Sequence, residues 1–309
     1  MVETVVKADQ RGGAESGAFA ADPLIQRGQA GHEIQGTVGD LLAALGKHLL
    51  QALSEAQGGA TRHPVVFVGA GPGDPELITL KGRRLLDSAD VVVYAGSLVN
   101  AALLNGIKAA CYDSASLDLE AIMELLAEGY QQGQRVVRLH TGDPAIYGAI
   151  REQMQWLDSR QIPYEVVPGV SSAFASAAAL KVELTVPEVT QTVIFTRQAG
   201  RTPVPERESL RNLARAQASM CIFLSVSLIG TVVADLIEGG YPAQTPIAVV
   251  EKASWPDQQI VRGTLADIAK TIKNSQIKKT AMIVVGPALS QESTIVSKLY
   301  DAAFSHEYR

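Results

Sequence analysis

A glycine- and proline-rich turn follows a short apolar run: Val68-Gly69-Ala70-Gly71-Pro72-Gly73-Asp74-Pro75-Glu76. Glycines at a strand-to-helix turn let a ligand approach the backbone, and the pattern invites comparison with a dinucleotide fingerprint. The residue chemistry opposes that reading. Asp74 stands where the fingerprint needs its third glycine, and a carboxylate there would repel a pyrophosphate. Pro72 and Pro75 remove backbone donors. The acid that would hold a ribose should close the second apolar segment, yet that segment ends in Tyr94-Ala95 and Asp90 opens it. The turn suits a ligand without phosphates, or a tight connection with no ligand at all.

A second such turn is Leu139-His140-Thr141-Gly142-Asp143-Pro144-Ala145-Ile146-Tyr147-Gly148. Here Asp143 could accept a hydrogen bond from a ribose hydroxyl or an amine, or it could close an Asp-Pro turn ahead of a helix. The third is Val167-Pro168-Gly169-Val170-Ser171-Ser172, where either serine could cap the next helix. Each turn is weak evidence alone. Three that leave strand ends of one sheet converge on one crevice, as ligand sites do in open α/β sheets.

The elements needed to place these turns are legible from periodicity. Short apolar strands are expected at Val65–Val68, Val91–Tyr94, Arg135–His140 and Tyr164–Val167, separated by helices at Leu77–Ser88, Leu119–Gln131, Ile146–Asp158 and Ser171–Leu180. The pattern restarts after Pro187, with strands at Val193–Thr196, Cys221–Ser225, Ile247–Val250, Gln259–Gly263 and Ala281–Val285. Helices are expected at Arg207–Ala216, Leu228–Glu238 and Leu265–Lys273. This alternation predicts two α/β domains with mainly parallel sheets and a ligand cleft between them, at residues 63–187 and 188–290. Residues 1–62 read as an N-terminal appendage with one amphipathic helix over Gly39–Ala56 and a flexible joint at Gln57–Thr61, and residues 291–309 as a tail.

Composition narrows the partners. The chain has 309 residues with a net charge of -5, enough for two cores and without the basic excess that releases counterions from nucleic acid. No window approaches the roughly 18 apolar residues of a membrane span, and the acidic start lacks a signal core, so a cytoplasmic protein is expected. Cys111 and Cys221 stand alone, and His32, His48, His63, His140 and His306 show no ligand spacing, so neither a disulfide nor a metal site is expected.

Five ordered segments carry a family resemblance: Gly69–Gly82 (GAGPGDPELITLKG), Ala89–Val99 (ADVVVYAGSLV), Leu139–Gly148 (LHTGDPAIYG), Val167–Ala175 (VPGVSSAFA) and Glu251–Leu265 (EKASWPDQQIVRGTL). Together they resemble the tetrapyrrole (corrin and porphyrin) methyltransferases over about Val65 to Pro287. The resemblance implies a two-domain α/β enzyme, usually a homodimer, binding S-adenosylmethionine between its domains and releasing S-adenosylhomocysteine. Tyr94–Val99 and Arg197–Pro205 are most similar to the branch that methylates precorrin-4 or cobalt-precorrin-4 at ring carbon 11 in cobalamin biosynthesis. Uroporphyrinogen III methyltransferases carry an Asp after the second-strand Tyr, where this chain has Ala95, which makes that activity doubtful.

Carried over by motif, the cofactor contacts implied are Pro72, Gly142, Asp143, Ile146, Ser171 and Ser172. Ser225 and Ala253 come from the second domain, with Leu224 and Thr264 as neighbours. A sulfonium methyl is already activated, so orientation should matter more than acid–base chemistry. Ser97, His140 and Tyr147 are positioning candidates, although His140 reads more readily as a strand-end residue bonded to backbone than as a direct proton-transfer group. A carboxylate-fringed tetrapyrrole calls for cations, and Arg197, Arg201, Lys252 and Arg262 lie near the motif segments, although each also fits a solvated surface charge. Two alternatives remain: a methyltransferase of the same fold acting on another substrate (another precorrin, uroporphyrinogen III, diphthamide or ribosomal RNA), or a nucleotide-binding protein without methyltransferase activity.

Overall fold

The computed structural model describes residues 62–290, so the expected helix over Gly39–Ala56 and the tail after 290 lie outside the described residues. The first half is a five-stranded sheet ordered β3-β2-β4-β1-β5, parallel throughout. Its strands are β1 (Val65–Gly69), β2 (Val91–Tyr94), β3 (Ala110–Asp113), β4 (Val136–His140) and β5 (Tyr164–Val167). Both faces are covered, which is why β1 and β4 are buried along their whole length. One face packs Phe67, Val93, Met123, Leu126 and Leu157, and the other Val68, Leu86, Val92, Leu103 and Leu139.

Helices α1 (Leu80–Asp87), α2 (Leu119–Gln131) and α3 (Ile150–Ser159) make the connections. Asp118 caps α2 by accepting from the Ala121 amide at 2.9 Å, and Ile122, Met123 and Leu126 bury the face turned to the sheet. Burying each such side chain contributes roughly 1.5–3 kcal/mol. The helix expected from Leu77 starts later, because Asp74 caps a separate 3-10 turn over Pro75–Leu77 and Thr79 then caps α1. The helix expected from Ile146 starts at Ile150, because Tyr147 and Ala149 adopt left-handed φ of 56° and 49°. Strand β3 was not anticipated. It is a sheet edge, exposed along its length, so its sequence lacks an apolar run.

The second sheet is ordered β6-β7-β10-β8-β9, from β6 (Val193–Arg197), β7 (Ser219–Phe223), β8 (Pro246–Glu251), β9 (Gln259–Thr264) and β10 (Ala281–Val285). Here the expectation of a mainly parallel sheet fails. Only the β6–β7 pair is parallel, while β7–β10, β10–β8 and β8–β9 are antiparallel. The loop 252–258 between β8 and β9 is too short for a crossover helix, so that pair has to be antiparallel.

Helix α4 (Ser172–Leu180) packs on the second sheet: Ala173, Ala177 and Leu180 lie against Phe223, Val250 and Val284. The second core thus begins at Ser172, before the boundary expected at 187. Its other face is covered by α5 (Leu210–Ala214), α6 (Ile229–Glu238) and α7 (Ile268–Asn274), which bury Leu210, Val232, Leu236, Ile268 and Ile272 against Ile222, Val249 and Ile283. None of the described helices is long and apolar enough to cross a membrane.

Candidate functional site

The three turns leave the carboxyl ends of β1, β4 and β5, which are neighbours in the first sheet, and they are joined backbone to backbone. Gly71 and Gly142 exchange two amide hydrogen bonds, at 3.2 and 2.8 Å, and the Ala70 amide donates to the His140 carbonyl at 2.7 Å. The glycines permit this contact. A Cβ on Gly69 would lie 2.5 Å from the Gly169 Cα, and one on Gly169 would lie 2.2 Å from the Gly142 carbonyl oxygen. Gly69 and Gly169 therefore serve loop-to-loop packing. Gly142 differs, since at φ +62° its missing Cβ faces no heavy atom nearer than 3.8 Å.

Asp143 completes the junction. One carboxylate oxygen accepts from the Ala145 amide at 2.8 Å and closes the Asp-Pro turn; the other accepts from the Gly169 amide at 2.9 Å and ties the second loop to the third. Ser171 is the N-cap of α4, its buried Oγ facing the Ala173 amide at 3.3 Å, and Ser172 begins the helix. A strap from the second half holds the first turn: Trp255 Nε1 donates to the Pro72 carbonyl at 2.9 Å, and the Asp74 amide donates to Ser254 Oγ at 3.0 Å. Gly73 is obligatory beneath that indole, because a Cβ there would come within 2.0 Å of it.

Between the loops and the second sheet lies a cavity of about 350 Å³. Pro72, Gly142, Asp143 and Ile146 line it from the first half. Ser172 and Ser176 face it from one side of α4, and Phe223, Leu224, Lys252, Ala253 and Trp255 close it from the second. The walls are largely apolar, with a few converging polar groups, as in small-molecule sites. Ser176 is fully buried and its Oγ has no hydrogen-bond partner, so a polar group of a bound molecule would satisfy it. Four residues of this wall, Tyr147, Leu224, Lys252 and Thr280, have left-handed φ between 47° and 56°. Non-glycine residues pay of order 1–3 kcal/mol for such conformations, which persist where the surroundings impose them and cluster at functional sites.

A second cavity, of about 410 Å³, shares Leu98, Thr141, Ile146 and Tyr147 with the first and reaches under the first sheet to Arg138 and His140. Burial, and then the charge of Arg138, push the His140 imidazole down to about 3, so it is neutral at physiological pH. Burial alone lowers the Arg138 guanidinium to about 10. Tyr147 borders both cavities, with its ring 5.2 Å from that of Phe223. Burial raises its phenol pKa, and the charges of Arg197 and Glu208 act on it in opposite directions.

Pro72, Gly142, Asp143, Ile146, Ser171, Ser172 and Ala253 line the first cavity. Ser225 stays away from it. Fully buried, its Oγ donates to the Phe223 carbonyl at 2.6 Å and accepts from the Gln198 amide at 2.8 Å, so it braces the strand end whose neighbours form the wall. Ser97 lies in the 3-10 turn Gly96–Leu98.

Among the proposed cations, Lys252 lines the cavity, paired with Asp257. Arg197 donates to the carbonyls of Thr202 and Pro203 and orders its own loop. Arg262 donates to the Leu180 carbonyl at the end of α4, and Arg201 is exposed outside both cavities. The sequence reading missed Lys278 and Lys279, at the first cavity, and Arg138 and Ser176. Arg138 did leave a signal, as a charged residue inside the otherwise apolar strand Val136–Leu139.

A family model described as tetrapyrrole (corrin/porphyrin) methylases matches residues 64–269. A cobalt-precorrin-4 C(11)-methyltransferase of Methanocaldococcus jannaschii is 58% identical over 79% of this chain and 95% of its own length. A precorrin-4 C(11)-methyltransferase of Pseudomonas aeruginosa is 50% identical over 79% and 98%. A solved cobalt precorrin-4 methyltransferase, a cobalamin biosynthetic enzyme, superposes with a TM-score of 0.72 at 48% identity, covering 73% of this chain and 95% of that one. The uroporphyrin-III C-methyl transferase of Thermus thermophilus, solved with S-adenyl homocysteine, gives 0.64 at 30% identity over 74% and 99%. On the shared motifs, the common fold and these identities, the chain belongs to the tetrapyrrole (corrin/porphyrin) methylase family.

Proposed function

We propose that the chain transfers the methyl group of S-adenosylmethionine to ring carbon 11 of precorrin-4 or cobalt-precorrin-4, a step of cobalamin biosynthesis. The observation that carries this reading is the cavity between the stitched loops and the second sheet. Its apolar walls, the unpartnered Ser176 hydroxyl and the open side of Gly142 suit the uncharged adenosine part of such a donor, while its loops lack the donors a pyrophosphate requires. The donor supplies a methyl on a sulfonium whose leaving group is a neutral thioether. What remains for the protein is to hold a ring carbon in line with that methyl and to exclude water.

The residues divide that work. Gly142, Ser172 and Ser176 bind from the first loops and α4, and Ala253 and Phe223 pack from the second sheet. Tyr147, at the wall common to both cavities, is placed to orient the acceptor beside the donor. His140, held neutral, offers a hydrogen bond and is a poor proton acceptor in the unliganded protein. We further propose that the enzyme works in the cytoplasm as a homodimer.

Mass spectrometry tests the reading, with precorrin-4, cobalt-precorrin-4 and uroporphyrinogen III offered alongside S-adenosylmethionine. A single methyl added to a precorrin-4 form is the expected result, and its preference selects the cobalt or the metal-free branch. Transfer to uroporphyrinogen III alone would replace the substrate. Binding of NAD and not of S-adenosylhomocysteine would overturn the whole reading.

A further inference from the structure

Arg138 is a buried cation without a counter-ion. It is 5% exposed, and its three hydrogen bonds go to neutral groups: Nε donates to Gln153 Oε1 at 3.3 Å, and Nη1 to the Val93 carbonyl at 3.2 Å and to Ser114 Oγ at 3.1 Å. None of the ion pairs formed among the described residues involves it. Buried charges are normally paired, since desolvation costs several kcal/mol per ion. Gln153 and Ser114 fix this guanidinium in place without neutralising it.

The second cavity gives the charge a purpose. Arg138 and His140 line its polar end, and His140 is 4% exposed with no partner for Nε2. Leu98, Leu119, Ile122 and Ile146 supply apolar walls. The one carboxylate on the lining, Glu152, belongs to an exposed residue. Because His140 is neutral, the polar end carries a single positive charge with an adjacent hydrogen-bonding nitrogen. Such a chamber complements a carboxylate on a short alkyl stem.

We propose that this second cavity binds one carboxylate-bearing side chain of the substrate, with Arg138 as its counter-ion and His140 beside it, thereby setting which edge of the macrocycle meets the methyl donor. The identity of the carrier rests on the proposed function; the anion site does not. Continuity supports the link, as the chamber meets the donor cavity along Leu98, Thr141, Ile146 and Tyr147.

The deciding experiment titrates propionate, with propionamide as control, into the full chain and follows the ring resonances of His140, assigned with His140→Gln. A saturable shift caused by propionate and not by propionamide, abolished in Arg138→Met, is expected. Arg138→Met should also raise KM for the tetrapyrrole by about tenfold or more, the scale of a lost charge-assisted hydrogen bond, with kcat and affinity for S-adenosylhomocysteine within about twofold. Should Arg138→Met fail to fold, Arg138→Lys replaces it, and a propionate shift retained at lower affinity is expected. An unmoved His140 in the wild type, or an undiminished shift in Arg138→Met, overturns the proposal. A wild-type chain that methylates no tetrapyrrole yet shows the propionate shift would sink the function and uphold the anion site.

Discussion

The two sheets build opposite walls of one cavity by different means. The first contributes backbone: Gly71, Gly142 and Gly169 approach within hydrogen-bonding or van der Waals contact of neighbouring loops, and Asp143 ties two of the loops together. The second contributes side chains carried on left-handed backbone, with Leu224 at φ 55°, Lys252 at 47° and Thr280 at 53°. A wall made of backbone tolerates few residue types, so it marks the sequence with Gly, Pro and Asp at fixed positions. A wall made of side chains held by its surroundings leaves no such mark.

This contrast predicts unequal sensitivity to substitution. Gly169→Ala should do the most damage, since its Cβ would meet the Gly142 oxygen at 2.2 Å. A loss of about 3 kcal/mol in urea unfolding, with cofactor affinity lost alongside, is expected. Unchanged stability would mean that the loops part easily and that the stitched wall is not rigid. Asp143→Ala ranks next, at about 2 kcal/mol, because two backbone amides lose their acceptor. The sequence alone places Asp143 in a loop and not in a core, and so suggests that its loss weakens cofactor binding more than folding. With both oxygens engaged, stability and affinity for S-adenosylhomocysteine should fall together, and a fall in affinity alone would restore the simpler role.

The third test is pH. Burial holds the His140 imidazole at about 3 in the folded chain against an ordinary value of 6.5, so as pH falls below 6.5 the unfolded chain takes up the proton first. Stability contributed by this residue is full above about pH 6.5 and declines towards pH 3 by about 1.4 kcal/mol per pH unit. Comparing acid unfolding of wild type and His140→Leu isolates that slope; parallel curves would place the imidazole in water. The smallest effect belongs to the second wall. Leu224→Gly relieves a left-handed leucine that is 73% exposed, so stability should hold or rise by up to about 1 kcal/mol while cofactor affinity falls. A clear destabilisation would show that the second wall is as rigid as the first.

The same contrast explains what could be read in advance. Parallel strands buried on both faces announce themselves as apolar runs, and β1, β2 and β4 lie where periodicity puts them, as does the edge strand β5, although Glu165 and Val166 in it are exposed. Edge strand β3, with the exposed sequence Ala110–Asp113, carries no such run. The antiparallel pairing of β10 with β7 and β8 was invisible, because buried strands look alike in either direction, whereas the short loop 252–258 by itself fixes the direction of β8–β9. In the site, the loop residues from Pro72 to Ser172 were legible as motifs. Ser225 lies off the wall because its hydroxyl is engaged by backbone, donating to the Phe223 carbonyl and accepting from the Gln198 amide, while Phe223 and Leu224 line the cavity. Ser176 was hidden inside an alanine-rich helix, and only the cavity beside it gives its hydroxyl a meaning.

Crystallography of the chain with S-adenosylhomocysteine tests the central claim most directly. The account predicts density for the whole molecule between the glycine loops and the second sheet, in contact with Gly142 and Ala253 and with a hydrogen bond to Ser176 Oγ. Density in another cleft, or none at saturating concentration, would contradict it.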